Sequence, residues 1–181
     1  MPDNDVTRLA SRVRLILMDV DGVMTDGRIL FVPMPNGSVV EAKVFDAQDG
    51  AAISIARRSG MKLGIISGRG SPAVSRRAEE LKLHFCYQGL GRNKISALSE
   101  IAAGVEYPLD SFCFIGDDLQ DIPILRRVGF PVAVANACPE AKACAAYVSR
   151  ASGGNGAVRE VIELILRSQG KWEAAIAEFL Y

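Results

Sequence analysis

The stretch Leu15-Ile16-Leu17-Met18-Asp19-Val20-Asp21-Gly22-Val23-Met24-Thr25-Asp26-Gly27 decides how the chain folds. Its first four residues are apolar without polar alternation, as in a strand buried on both faces of a parallel sheet. The strand then breaks into two aspartates one residue apart and a glycine-bearing loop. In an open α/β sheet such a break marks the carboxyl end of a strand, where sites are built. Two carboxylates buried there without a cation would be costly, and an all-oxygen donor set favours a hard divalent ion, magnesium first. An acidic turn capping a strand would explain one aspartate. It would hardly explain Asp19, Asp21, Thr25 and Asp26 together, four acidic or hydroxyl groups in eight residues.

The same rhythm runs outward from this stretch. Short apolar runs at 15–18, 63–66, 85–87, 112–115 and 132–134 read as strands, and 48–59, 72–81, 94–103, 119–128 and 139–145 have helical period and length. This alternation predicts a doubly wound, Rossmann-like parallel α/β sheet. One segment departs from it: 28–32 and 38–45 are strand-like around the turn 33–37, so a β-hairpin is expected at about 27–46. An isolated hairpin is marginal in water. Ile29, Leu30, Phe31, Val32, Val39 and Val40 therefore point to burial against another subunit, with folding back onto the chain's own core as the alternative.

Later strand ends add chemistry. Ser67-Gly68-Arg69 brings a hydroxyl and glycine-freed amides to where a phosphate oxygen fits. Lys94 opens a helix as a point charge, and Gly116-Asp117-Asp118-Leu119-Gln120-Asp121 supplies a second acidic arm for the metal. Each element alone is weak, and Lys94 alone reads as a surface residue. Their order on successive strand ends is far more specific.

The 181 residues suit one domain, with 49% hydrophobic and 23% charged side chains and no run of the roughly 20 apolar residues that a membrane helix needs. Lys plus Arg and Asp plus Glu each number 21, so no basic field exists to hold nucleic acid. The N-terminus Met1-Pro2-Asp3-Asn4-Asp5 is acidic and lacks an apolar signal region, giving a cytoplasmic expectation. Cys86, Cys113, Cys138 and Cys144 form no CxxC pair and His84 is the only histidine, which disfavours zinc and disulfide scaffolds. A cysteine nucleophile paired with His84 is the weaker reading beside cysteines that merely pack.

In order, Asp19-Val20-Asp21, Ser67, Lys94 and Gly116-Asp117-Asp118 resemble the four motifs of the haloacid dehalogenase superfamily of aspartyl-phosphate phosphatases, over nearly the whole chain. The resemblance implies that Asp19 is the nucleophile and Asp21 the acid and base, with Ser67 and Lys94 holding the phosphoryl oxygens. It implies magnesium on the Asp19 carboxylate, the Asp21 main-chain carbonyl and Asp117, with Asp118, Asp121 and Thr25 behind them. Residues 21–27, 43–50, 67–71, 77–81 and 153–160 further resemble the small, capless, tetrameric family of 3-deoxy-D-manno-octulosonate 8-phosphate phosphatases, which release a sugar acid used for lipopolysaccharide. Family members often carry Asn or His in place of Asp46, and Asp in place of Asn93 and Asn136. A related nonulosonate 9-phosphate is the alternative substrate.

Neither 21–67 nor 94–117 has room for a cap domain, so closure over a small substrate calls for another subunit. Gly153-Gly154-Asn155-Gly156 reads either as a flexible segment able to enter a neighbour's site, anchored by a final helix at 157–167, or as an ordinary turn before that helix. With Gly22, Lys43, Gly68, Arg69 and Arg77 these four are the candidate substrate contacts. A response-regulator receiver would instead need an adjacent acidic pair at the first strand and a phosphoacceptor at a middle strand, where Ser67 stands. A non-catalytic interaction subunit would not need all four motif positions.

Overall fold

In the computed structural model, residues 4–179 are described; Met1 to Asp3 of the acidic N-terminus, and Leu180 and Tyr181, lie outside the described residues. In chain order the first half holds α1 (Asn4–Ser11), β1 (Leu15–Met18), β2 (Leu30–Pro33), β3 (Val39–Ala42), α2 (Ala47–Arg58), β4 (Lys62–Ile66), α3 (Pro72–Glu80) and β5 (Phe85–Tyr87). The second half holds α4 (Lys94–Ala103), β6 (Phe112–Gly116), α5 (Ile122–Leu125), β7 (Phe130–Ala133), α6 (Pro139–Ala143), β8 (Tyr147–Val148), α7 (Ala157–Ser168) and α8 (Trp172–Ile176).

β1 is buried at all four positions and sits inside a six-stranded sheet of order β5-β4-β1-β6-β7-β8 in which every pairing is parallel. The chain leaves β1 toward β4 and β5, then returns to β6 on its other side, so β1 lies at the topological switch point. Met18 pairs with Ile65 and with Ile115. That register brings Asp19, Ser67 and Asp117 to nearly the same level at the carboxyl edge. α1 and α2 pack on α7 over one face, and α4, α5 and α6 pack in succession on the other. The doubly wound α/β expectation holds, and among the described residues no cap domain interrupts it.

The boundaries differ from the sequence reading where proline and short elements intervene. The expected helix 119–128 is a 3-10 turn, Leu119–Asp121, followed by the short α5, because Asp118 and Asp121 form a capping box and Pro123 cannot donate to a continuing helix. β7 begins two residues early, and α1 and the two-residue β8 are additions. β8 is held to α7 by Glu160, which accepts from Tyr147 Oη at 2.6 Å and from the Arg150 and Ala151 amides.

β2 and β3 form the expected hairpin as a separate antiparallel sheet, with Phe31 opposite Glu41 and Val32 opposite Val40. Gly37 takes φ +81° in the turn, where a side chain would be strained. Folding back onto the core, the alternative for this segment, is not what occurs. Phe31 and Val39 are about 60% exposed (61% and 60%), and Ile29, Leu30, Val32, Met34 and Val40 are exposed with them.

Candidate active site

Asp19 follows β1 directly, Ser67 follows β4, Asp117 follows β6, and Lys94 is the first residue of α4. A lysine in the first turn of a helix faces an unfavourable dipole, and Lys94 is also buried. Two carboxylates offset both costs: its Nζ lies 2.8 Å from Asp19 Oδ2 and 2.8 Å from Asp121 Oδ1. Burial alone would lower its pKa, yet the charges of Asp19 and Asp121 raise it, so Lys94 stays cationic.

Asp121 is fully buried and fully committed. Its Oδ1 takes Lys94, while its Oδ2 accepts from the amides of Asp117 at 2.9 Å and Asp118 at 3.3 Å. Asp19 Oδ1 and Asp117 Oδ1, in contrast, are buried and have no hydrogen-bond partner. Ligand atoms of Asp19, Asp117 and Asp121 all lie within 4.8 Å of one another. Burial first, then neighbouring carboxylate charge, raises the pKa of Asp19, and the same two causes push Asp117 up to about 8. Two orphaned oxygens whose ionisation is disfavoured, in an all-oxygen setting, fit a hard divalent cation. The satisfied oxygens of Asp121 fit a residue that orients Lys94 and the 117–118 backbone.

The loop after Asp19 is held by Thr25, whose buried hydroxyl donates to the Val20 carbonyl and accepts from the amides of Gly22 and Gly27. Gly22 has φ +91°, and a Cβ there would come within 2.0 Å of Asp117 Oδ2. Only glycine lets the first acidic loop close onto the second. At Gly68 a Cβ would meet the Gly91 carbonyl at 2.8 Å and Gln120 Oε1 at 2.9 Å, and the Arg69 amide bonds back to Ser67 Oγ. Ser67, buried at the β4 end, thus sits in a tight backbone turn near the Lys94 stem.

Asp21 points to a different set of partners. Lys43, immediately after β3, donates to Asp21 Oδ1, and Arg69 Nε lies 3.8 Å from Asp21 Oδ2. Glu41, absent from the sequence reading, joins both cations: Arg69 donates to its Oε2, and Lys43 Nζ lies 2.9 Å from its Oε1, an ion pair without hydrogen-bond alignment. Arg77 is not brought to this group. Its Nη2 donates to the Asp46 carbonyl at 3.3 Å, its guanidinium stacks 5.7 Å from the Phe45 ring, and it covers Gly50.

Gly153-Gly154-Asn155-Gly156 is not free in the way its glycines suggest. Gly154 donates to the Val23 carbonyl, a Cβ on Gly153 would come within 1.8 Å of the Gly22 carbonyl, and Asn136 bridges the Gly22 carbonyl and the Gly153 amide. Of the two readings of this segment, these contacts fit the turn before α7: it braces its own Asp21–Thr25 loop from behind, and Gly156 caps α7 at φ +92°. Asn155 donates to the Gly153 carbonyl. Also unforeseen is Asp49 of α2, a buried carboxylate that caps α7 by accepting from the Arg159 amide at 2.8 Å. Asp46 caps α2 through the amides of Gln48 and Asp49, a role that Asn fills equally well. The weaker cysteine reading loses its base, because His84 Nδ1 accepts the Leu63 amide.

Comparison with known proteins agrees with this geometry. Residues 88–162 match the haloacid dehalogenase-like hydrolases. The 3-deoxy-D-manno-octulosonate 8-phosphate phosphatase KdsC of Escherichia coli K12 is 40% identical over 171 residues, covering 94% of this chain and 88% of that protein. The chain belongs to the 3-deoxy-D-manno-octulosonate 8-phosphate phosphatase family. A crystal structure of such a phosphatase from Moraxella catarrhalis, in complex with magnesium, phosphate and the sugar acid KDO, superposes with TM-score 0.91 at 39% identity, covering 98% of this chain and 99% of that one. The cobalt-bound enzyme from Haemophilus influenzae gives TM-score 0.86 at 31% identity, with 96% and 99% covered.

Proposed function

We propose that this chain is a magnesium-dependent phosphomonoesterase that hydrolyses 3-deoxy-D-manno-octulosonate 8-phosphate to the free sugar acid and phosphate, a step in making lipopolysaccharide precursor. The observation that carries the chemistry is the pair of orphaned oxygens on Asp19 and Asp117 beside the buried Lys94. The substrate comes from the family relatives.

Asp19, Asp117 and the main-chain carbonyl of Asp21 would hold the magnesium. When bound, the ion supplies positive charge to the phosphoryl oxygens and keeps both carboxylates ionised. Asp19 attacks phosphorus, the P–O bond to the sugar breaks, and Asp21 gives its proton to the departing alkoxide. Asp21 then takes a proton from water, whose oxygen attacks phosphorus and releases Asp19 and inorganic phosphate. Lys94 and Ser67 hold phosphoryl oxygens in line throughout.

The remaining parts of the reading are one phosphatase domain over the 181 residues, acting in the cytoplasm as a homotetramer; the exposed hairpin supports assembly through β2 and β3. Lacking a cap, each site is completed by a neighbouring subunit. Since 153–156 is bound in its own subunit, the covering element is a different surface of the neighbour.

The test is a phosphate-release screen with added magnesium, in which the octulosonate 8-phosphate is compared with nonulosonate 9-phosphates. Preference for the former, abolished by EDTA and restored by magnesium, supports the proposal. Preference for a 9-phosphate moves the substrate to the nonulosonates, and metal-independent turnover overturns the mechanism.

A further inference from the structure

Both oxygens of Asp21 are engaged by cations, and both cations are engaged by one further carboxylate. Lys43 bridges Asp21 Oδ1 and Glu41 Oε1, and Arg69 bridges Asp21 Oδ2 and Glu41 Oε2, so the four side chains close a ring of alternating charge. The ring joins three parts of the chain: the loop after β1, the outgoing strand of the hairpin, and the loop after β4. Lys43 is almost wholly buried, with 2% of its side chain exposed, while Glu41 and Asp21 are each 20% exposed. Glu41 is held below the ordinary carboxylate range by the neighbouring Lys43 and Arg69 cations, so it remains an anion.

We propose that Glu41 is a positioning residue for hydrolysis: by holding Lys43 and Arg69 together, it fixes the side chain of Asp21 in the orientation from which that group serves the leaving oxygen. This rests on the phosphatase reading above. Without Glu41 the two cations converge on one small carboxylate with no counter-charge between them. Their mutual repulsion would splay them, and the Asp21 side chain would follow one or the other. Misplacement on the scale of 1 Å is enough to cost a proton-transfer group much of its effect. With Asp21 ionised the four charges of the ring balance, and Lys43 and Arg69 are each already paired within the chain. Recognition of the substrate carboxylate is then expected from other groups, and Lys43 and Arg69 act chiefly through Asp21.

The test compares wild type with Glu41→Gln and Glu41→Asp in kcat/KM on a series of phosphate esters, from p-nitrophenyl phosphate, whose anion departs unaided, to alkyl phosphates, whose alkoxide needs a proton. A positioning role makes the loss in Glu41→Gln grow along the series, from within about 2-fold for the aryl ester to about 10-fold or more for alkyl esters, a fraction of what a full acid contributes. Glu41→Asp, which keeps the counter-charge, should recover most of the loss. An equal loss on all esters in both variants means a general structural defect and overturns the proposal. A loss confined to the sugar acid phosphate means that Glu41 contacts the sugar, and overturns it too. The series does not depend on the sugar, so a wild-type enzyme active on simple esters but inactive on the octulosonate phosphate refutes the substrate assignment alone.

Discussion

The loops at the ends of β1, β4 and β6 and the hairpin of β2 and β3 are built on opposite terms. At the strand ends polar groups are buried, and nearly all are matched within the chain: Lys94 by Asp19 and Asp121, Asp121 by two amides, Thr25 by three backbone groups. The two carboxylate oxygens left over, on Asp19 and Asp117, mark the place of a cation. In the hairpin apolar groups are exposed, and among the described residues none covers Phe31 or Val39. One region lacks only an ion, whereas the other lacks a surface. The chain therefore holds its own bond-breaking chemistry, and in the proposed assembly a neighbour would supply closure. Glu41 and Lys43 join the two regions, since both come from the hairpin side and act on Asp21.

Asp21→Asn strikes the self-contained region hardest among changes that keep its shape. Steady-state turnover of the sugar phosphate should fall by about 10² to 10⁴, the usual worth of a positioned acid or base. Calorimetric magnesium affinity should fall far less than in Asp117→Ala, because the Asp21 main-chain carbonyl survives. Equal metal loss in both variants would break this division of roles. Gly22→Ala should come next, with magnesium affinity and kcat each down by about 10-fold or more, since the new methyl group displaces Asp117 and strains a left-handed residue. If full magnesium binding persists, Asp117 is not a ligand.

The hairpin is probed by Phe31→Glu with Val40→Glu. Sedimentation should show dissociation, with sugar-phosphate activity falling several-fold and p-nitrophenyl phosphate hydrolysis within about 2-fold of wild type, because no catalytic group is touched. An intact tetramer would show that the exposed apolar surface is not the contact.

Asp49 should give the smallest effect. Burial first raises its pKa, against the Arg159 amide, and with the nearby Asp46 charge it reaches about 6 from an ordinary 3.8. The folded state therefore binds this proton more tightly than the unfolded chain. The stability it contributes is complete below 3.8 and is lost as pH rises through about 6. With magnesium saturating, so that Asp19 and Asp117 stay ionised, the melting temperature of Asp49→Asn should vary less with pH across this window than that of wild type. An unchanged slope would mean that Asp49 titrates normally.

Much of this architecture was legible because local pattern and global role coincide. The unbroken apolar run before Asp19 can serve only a doubly covered strand, and the motif order follows the strand ends. What escaped depends on contacts distant in sequence. Glu41 follows two valines in β3 and reads as an ordinary exposed charge, and its partner Arg69 is 28 residues away. Asp49 looks like an ordinary first-turn acid of α2, yet it caps a helix 110 residues on. Gly153 and Gly154 suggested freedom, whereas their missing side chains allow close approach to the Gly22 carbonyl and to Thr25. Glycine density alone does not separate these uses.

The central claim is that Asp19 carries the phosphoryl group, and it can be tested by chemical trapping. Enzyme turning over the sugar phosphate with magnesium is acid-quenched and treated with borohydride, which reduces an acyl phosphate of aspartate to homoserine, and the peptides are mapped by mass spectrometry. The account predicts homoserine at position 19, dependent on both substrate and magnesium. Homoserine at another aspartate, or none during confirmed turnover under conditions that trap a known aspartyl phosphate, would contradict it.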